Sequence, residues 1–513
     1  MGTLALAGRV NEVFALGQDV LMRIAAAAEI DPGGRRRAAV HLALARSAVA
    51  CTDWSRATVQ LASARECIGD TDISLVARVT ALQAVVALGE YRHAESGVLA
   101  EAAVNAAEST ASPDLLCEAL LVLGRCTRES DPTAAELVFE RARVVARNAG
   151  LTHWQARALA ELGTVDFYRG GGPGRAEQAR ALARECGAPE TEAVAEQHLS
   201  VLGWNRDDAD VMRAHAEAAI GIARRYRLGL LLPSALILLA CAHAVRGNAG
   251  AMEQALAEAA PLIEGDPTQT VAMHAQARAT CALAGDDLAT ARVELAVARQ
   301  IVRSNRTAAV PMVGMSVLLA AVDGADTSKD SSELRTMGYH QMQPLSALLL
   351  AADAVVLGRA GHPARANLAL AQAMTLLETQ PFMRAVCLRL VAPRAATDGW
   401  GEPAEWLLTA QLIFEERGLP QPAQSVLVLR RQLAAGRKGP SSPDSPRFTG
   451  DITVRERQVL GLVAEGLPNR SIAARLYLSP RTVEKHVERL MAKTGSTNRA
   501  QLAIYVLRRT SRS

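Results

Sequence analysis

A short turn rich in glycine and aspartate returns ten times between residues 53 and 401 of this 513-residue chain. With one landmark in each turn, at 53, 90, 131, 172, 208, 247, 285, 324, 361 and 401, neighbours stand 36 to 41 positions apart. That period fits a helix, a turn, a second helix and a loop, repeated as an array. Glycine closes the first helix of a unit, because a left-handed residue costs it little. Asp, Asn or Pro then starts the second, as in "RGNAGAM" at 246–252 and "AGHPARA" at 360–366. Apolar residues follow at helical spacing: Leu288, Ala291, Leu295 and Ala298 in one unit, Leu368, Ala371, Met374 and Leu377 in another. The chain is 50% hydrophobic but only 3% aromatic, so Ala and Leu must fill the core, which suits helices that approach closely.

In "LGEYRHA" (88–94) and "DGWGEPAEW" (398–406) the turn carries a Gly, an aromatic and an Ala, and here the array resembles tetratricopeptide-like repeats. The resemblance implies a superhelix with a concave face, able to hold a peptide, a protein or a small molecule. The competing reading is a scaffold or dimerisation surface with no ligand. The array is expected over residues 1–433. "AAGRKGPSSPDSPRFTG" follows, and its Gly, Pro and Ser read as a flexible linker over 434–450.

The net charge of +3 conceals an asymmetry. Residues 452–513 hold twelve Lys/Arg and four Asp/Glu, or +8, while residues 1–451 hold 44 and 49, or −5. A small basic tail on a mildly acidic body points to a nucleic-acid module attached to something that does not itself bind DNA.

The tail divides into four helices by its caps. Thr453 and Glu456 make a T-x-x-E capping box. Asn469 caps a short helix carrying Ile472, Ala473 and Leu476. Ser479 caps the third, with Pro480 at its first position and Gly495 at its end. Asn498 caps a fourth with Leu502, Ala503 and Val506. A short helix, a tight turn and a longer helix make helix-turn-helix geometry. The whole is therefore expected to be all-α: a helical-hairpin superhelix, then a small four-helix DNA-binding domain over 451–513.

Four pieces, "TVRERQVL" (453–460), "EGLPNRSIAARL" (465–476), "LSPRTVEKHV" (478–487) and "KTGSTNRAQL" (493–502), resemble the LuxR-type helix-turn-helix domain of bacterial transcription regulators. They cover about a ninth of the chain. Thr494 and Ser496 depart from the family, which usually has apolar residues there. The resemblance implies a homodimer on an inverted-repeat site in double-stranded DNA, the third helix in the major groove, RNA polymerase as a partner and an amino-terminal domain that senses the signal. The chain has neither the alternating strands of a phospho-acceptor receiver nor an α/β sandwich for an acyl-homoserine lactone, and no G-x-x-x-x-G-K-[S/T] loop. It is similar to the repeat and DNA-binding parts of the large ATP-binding LuxR type, without the ATPase.

At about 100° per residue, Val483, Val487 and Leu490 form the core stripe of the third helix. Arg481, Lys485 and Glu488 point the opposite way, flanked by Glu484 and Arg489. Thr482, His486 and Lys493 lie to one side, where a phosphate backbone would pass. A carboxylate in the major groove can accept from the cytosine amino group, yet it repels phosphates. Glu484 and Glu488 thus read either as base contacts or as a solvated face of i,i+4 pairs. Attraction must come from Arg455, Arg470, Arg475, Arg481, Lys493, Arg499 and the helix N-termini at Ser479 and Asn469. His486 either packs beside the core or bonds a phosphate. Carried over by position, the family's base-reading residues fall on Glu484, Lys485 and Glu488, and its backbone contacts on Thr482 and Lys493.

Other classes find little support. The eight cysteines form no C-x-x-C pair and read as small hydrophobes in a reducing cytoplasm. The amino terminus lacks a signal-peptide pattern. "LGLLLPSALILLACAHAV" (228–245) has borderline length for a membrane span, but Pro233, Ser234 and His243 favour a buried helix. No H-E-x-x-H, nucleophile elbow or phosphate loop appears, so no enzyme, cofactor or metal is expected. Two functions remain: a transcription regulator, read as an activator, controlled by a small molecule or protein partner; or a repeat scaffold that docks on DNA through its tail.

Overall fold

The computed structural model describes residues 10–26, 31, 33–50, 53–69, 72–90, 92–128, 131–169, 171–229, 231–263, 268–304, 312–336, 343–436, 454–464, 467–475, 480–494 and 502. The chain divides into two compact units, Met1–Ala435 and Gly436–Ser513. Among the described residues there is no strand, and the fold is all-α.

The first unit is a row of helical hairpins. After α1 (Val10–Ala26) come α2 (Arg35–Val49) and α3 (Trp54–Ile68), then α4 (Ile73–Gly89) and α5 (His93–Ser109). They are followed by α6 (Pro113–Arg128) and α7 (Pro132–Asn148), α8 (Thr152–Arg169) and α9 (Gly174–Glu185), and α10 (Pro189–Asn205) and α11 (Ala209–Tyr226). The next pairs are α12 (Leu232–Val245) and α13 (Ala249–Ala259), α14 (Thr268–Ala284) and α15 (Leu288–Ser304), and α16 (Val313–Val322) and α17 (Ser328–Thr336). The row ends with α18 (Gln343–Arg359) and α19 (Pro363–Leu376), α20 (Pro381–Asp398) and α21 (Pro403–Glu416), and α22 (Pro420–Gly436). Each of the ten turns falls between the two helices of a pair. From α2 to α14 the first helix of each pair also lies against the first helix of the next, so these helices line one side.

The turns work as their residues dictate. Asp53, Asp131, Asp208, Asn248 and Asp287 each accept a backbone N–H from the first turn of the helix that follows. Gly247 and Gly361 take the left-handed conformation, φ 68° and 78°. At 207 and 286 aspartate occupies that conformation instead, φ 56° and 63°.

The second helices share one packing pattern. Ala57, Leu61 and Ala64 of α3 are buried, and so are Ala100, Val104 and Ala107 of α5. The same spacing buries Ala135, Phe139 and Ala142 of α7, Ala291, Leu295 and Ala298 of α15, and Ala366, Leu370 and Ala373 of α19. Two alanines seven positions apart let the neighbouring helices close in, and the larger residue between them fills the gap. The expected stripe in α19 is right at its end and wrong at its start: Leu377 is buried and Met374 packs against the core, but Leu368 is 62% exposed and Ala371 faces solvent, because the buried stripe begins at Ala366.

The row folds back on itself. Asp207, in the turn between α10 and α11, accepts from the Phe382 N–H of α20 and pairs with Arg417 after α21. Asp286, between α14 and α15, pairs with Arg389 of α20. The α20–α21 hairpin therefore sits across two turns from far earlier in the chain.

Residues 228–245 contribute α12, whose Ala235–Leu238 and Ala240–Ala242 are buried against neighbouring hairpins. Among the described residues no helix is long and apolar enough to cross a membrane. The described cysteines are free, and burial pushes the Cys117 thiol up to about 11 and those of Cys241 and Cys387 to about 12. Helix α22 runs to Gly436, three residues into the segment read as linker, because Ala434 and Ala435 are strong helix formers. Residues 437–450 lie outside the described ones.

Candidate nucleic-acid interface

The second unit holds α23 (Val454–Ala464), α24 (Asn469–Arg475) and α25 (Pro480–Thr494). Val459, Leu460 and Val463 of α23 close a core with Ile472 and Ala473 of α24 and Val483, Val487 and Leu490 of α25. Leu502 is buried in the same core, and it alone of the expected fourth helix is described. The capping-box residue Glu456 is buried at 2% exposure, while Thr453 lies outside the described residues. Helix α24 begins one residue earlier than its cap suggested: the Pro468 carbonyl already accepts from the Ser471 and Ile472 amides at 2.9 and 3.0 Å. The turn between α23 and α24 is held by the Leu467 amide, which donates to the Leu462 carbonyl at 3.2 Å.

With Val483, Val487 and Leu490 turned inward, α25 presents Glu484, Lys485, Glu488 and Arg489 as exposed side chains. Among the described residues none of the four forms an ion pair. Two cations and two carboxylates thus share one solvated face, which is a pattern of donors and acceptors rather than a uniform charge. His486 is half-buried, and its Nδ1 is enclosed without a hydrogen-bond partner. Asn469 opens α24 at half-burial. Arg470, Arg481, Thr482 and Lys493 lie on α24 or α25, but their side chains are outside the described residues. Ser479 and Arg499 are outside them altogether.

The first unit contains a charged cluster that residue spacing did not reveal. Glu161 of α8 pairs with Arg128 of α6 at 2.7 Å and accepts from Arg125 Nε at 2.6 Å. Burial pushes Glu161 up, but the Arg125 and Arg128 guanidiniums outweigh it and hold the carboxyl at about 2. His198 of α10 meets the Thr164 hydroxyl at 3.0 Å, and burial lowers its imidazole to about 4. The available signal was a set of charges on the first helices of three successive pairs, which the apolar second-helix stripes do not need. Among the described residues no group of His, Cys, Asp and Glu is arranged to hold a metal ion.

The family model of bacterial regulatory proteins, luxR family, matches residues 451–506. Part of the chain is also similar to several regulators. It is 37% identical over 87 residues to the DNA-binding transcriptional activator DevR/DosR of Mycobacterium tuberculosis, covering 17% of this chain and 36% of that protein. It is 38% identical over 93 residues to the response regulator Rre1 of Synechocystis, covering 18% and 39%. It is 33% identical over 93 residues to the nitrate/nitrite response regulator protein NarL of Escherichia coli, covering 18% and 43%. The chain therefore spans less than half the length of each of these relatives. Family match, three-helix core and the exposed face of α25 agree, and residues 451–506 are a luxR-family helix-turn-helix domain of the DNA-binding regulator type.

Proposed function

We propose that the chain is a sequence-specific transcription regulator, an activator, whose helical array over 1–433 senses a small molecule or a protein partner. Through the linker at 434–450 that array controls DNA binding by residues 451–513. The observation that carries the reading is the exposed quartet Glu484, Lys485, Glu488 and Arg489 on α25, turned away from its core stripe and without an ion pair among the described residues. Helix α25 enters the major groove with Lys485 donating to a base edge and Glu484 and Glu488 accepting from cytosine amino groups. Arg470, Arg481, Thr482, Lys493, Arg499 and the helix starts at Asn469 and Ser479 grip the phosphates and supply the attraction that the carboxylates oppose. Two copies bind the halves of an inverted repeat.

Selection of bound sequences from a random duplex pool, with the full chain, tests this. The expected result is an inverted-repeat motif for which Lys485→Ala lowers affinity by ~1–3 kcal/mol at fixed salt. Recovery of unselected sequence, with binding governed by salt alone, would favour a scaffold that merely docks on DNA.

A further inference from the structure

On the side lined by their first helices, the opening hairpins frame two adjoining hollows of about 420 and 190 Å³, both open to solvent. Arg46, Glu118 and Trp154 line both, so the two form one site of the size that takes a small organic ligand. Three of its arginines are already matched: Arg46 with Glu118 at 2.8 Å, Arg78 with Asp114 at 2.9 Å, and Arg125 with Glu161. Arg157 is not. Its guanidinium lies 4.9 Å from the centre of the Trp154 ring and makes no ion pair or hydrogen bond. Burial first, and the Arg125 guanidinium second, lower its pKa from the ordinary value, against the opposing pull of the Glu190, Glu118 and Glu161 carboxylates nearby. Half-buried Val49, Ala50 and Val85 form the accessible apolar wall beside it, over Leu82, Leu121 and Val122, which are buried in the core.

We propose that these hollows bind a small organic carboxylate, seated on Arg157 against Trp154 with its apolar body along Val49, Ala50 and Val85. Arg157 is the lining arginine with no direct partner, and its planar fork fits a carboxylate through two parallel bonds. Glu118 and Glu190 also line the site and repel a dianion such as inorganic phosphate. The apolar wall excludes small hydrated anions and asks for a hydrocarbon or aryl body. The site supplies a ligand class for the sensing role and rests on that reading of the first unit.

The test is isothermal titration of the full chain with octanoate, 4-phenylbutyrate and indole-3-acetate, each beside its uncharged primary amide, at one ionic strength. Carboxylates should bind and the amides should not. Arg157→Gln should bind at least about tenfold more weakly, with Arg157→Lys in between. Glu190→Gln removes a repelling charge and should bind carboxylates more tightly, an arm that stands even if Arg157→Gln does not fold. Equal binding of acid and amide, an undiminished affinity in Arg157→Gln, no tightening in Glu190→Gln, or no binding of any of the acids would overturn the proposal. Affinity for a selected DNA duplex is measured in the same samples. Carboxylate binding at Arg157 that leaves DNA affinity unchanged sinks the sensing reading but keeps the site, whereas control of DNA affinity by another compound class does the reverse.

Discussion

Arg417 reaches Asp207 across 210 positions of chain: it pairs with the carboxylate at 3.1 Å and donates to the backbone carbonyl at 2.7 Å. The same carboxylate accepts from the Phe382 amide, which ties the turn after α10 to both ends of the α20–α21 hairpin. Burial pushes the Asp207 carboxyl up to about 6, against the pull of Arg417 and the Phe382 amide. Its ordinary value is 3.8, so the folded chain binds this proton more tightly than the unfolded chain does. The group favours folding most below about pH 4, and that contribution is lost as pH rises through 6. Asp207→Asn keeps an oxygen acceptor, tolerates the left-handed φ and cannot titrate. Urea melts from pH 4 to 7 should therefore show the wild type losing roughly 2 kcal/mol relative to the variant. A difference that stays level over that range would sink the assignment.

Glu161 should behave with the opposite sign. Its folded carboxyl titrates at about 2, below the ordinary 4.5, so its contribution is complete above pH 4.5 and is lost as pH falls toward 2. Glu161→Gln leaves Arg125 and Arg128 without their shared counter-charge and is expected to cost about 3–5 kcal/mol at pH 7. Melts of both proteins in acid should converge. A penalty independent of pH would mean that the carboxylate acts by shape and not by charge.

These two contacts mark where residue spacing ceases to inform. The turns were legible because capping and left-handed positions are local, and Asp131 and Gly247 act within a few residues of themselves. The stripe Ala291, Leu295 and Ala298 was legible for the same reason. In α19, "PARANLALAQAMTL" is apolar on two faces, so helical spacing alone does not select the buried one. The meeting of Asp207 with Arg417, and of Arg157 with residues of α2, α4 and α6, depends on how hairpins stack, and no local pattern encodes it. In the second unit the core stripe of α25 could be read directly, since polar residues dominate its other faces. The side-chain placements of Arg470, Arg481, Thr482 and Lys493 lie outside the described residues.

Glycines in the array separate by what stands over them. A Cβ on Gly124 of α6 would lie 2.4 Å from the ring of Phe139, which is fully buried on α7. Gly124→Ala must displace that ring and should cost about 1–3 kcal/mol. Gly221, inside α11, has nothing within 4 Å of its would-be Cβ, so Gly221→Ala should stabilise by up to about 1 kcal/mol through helix propensity. Thermal melts of the two variants side by side check both signs. Phe139→Leu should recover part of the loss in Gly124→Ala and would cost stability in the wild type. Two variants that move together would show that the close crossing of α6 and α7 does not set the response.

Glu484 gives the sharpest test of the DNA face, because its two roles oppose each other. As an exposed carboxylate it repels the phosphate backbone, so Glu484→Ala should raise affinity for unrelated duplexes and make it less sensitive to small changes in site sequence. As an acceptor for a cytosine amino group it discriminates one base pair by ~1–3 kcal/mol, and that preference should vanish in the variant. Lys485→Ala should instead weaken the selected site and flatten a different position. Competition binding on single-base-permuted sites, at two salt concentrations, separates the effects: charge repulsion scales with salt, whereas base preference does not. If Glu484→Ala raises affinity uniformly and leaves every base preference intact, the carboxylate belongs to a solvated face, and discrimination must rest on Lys485, Glu488 and Arg489.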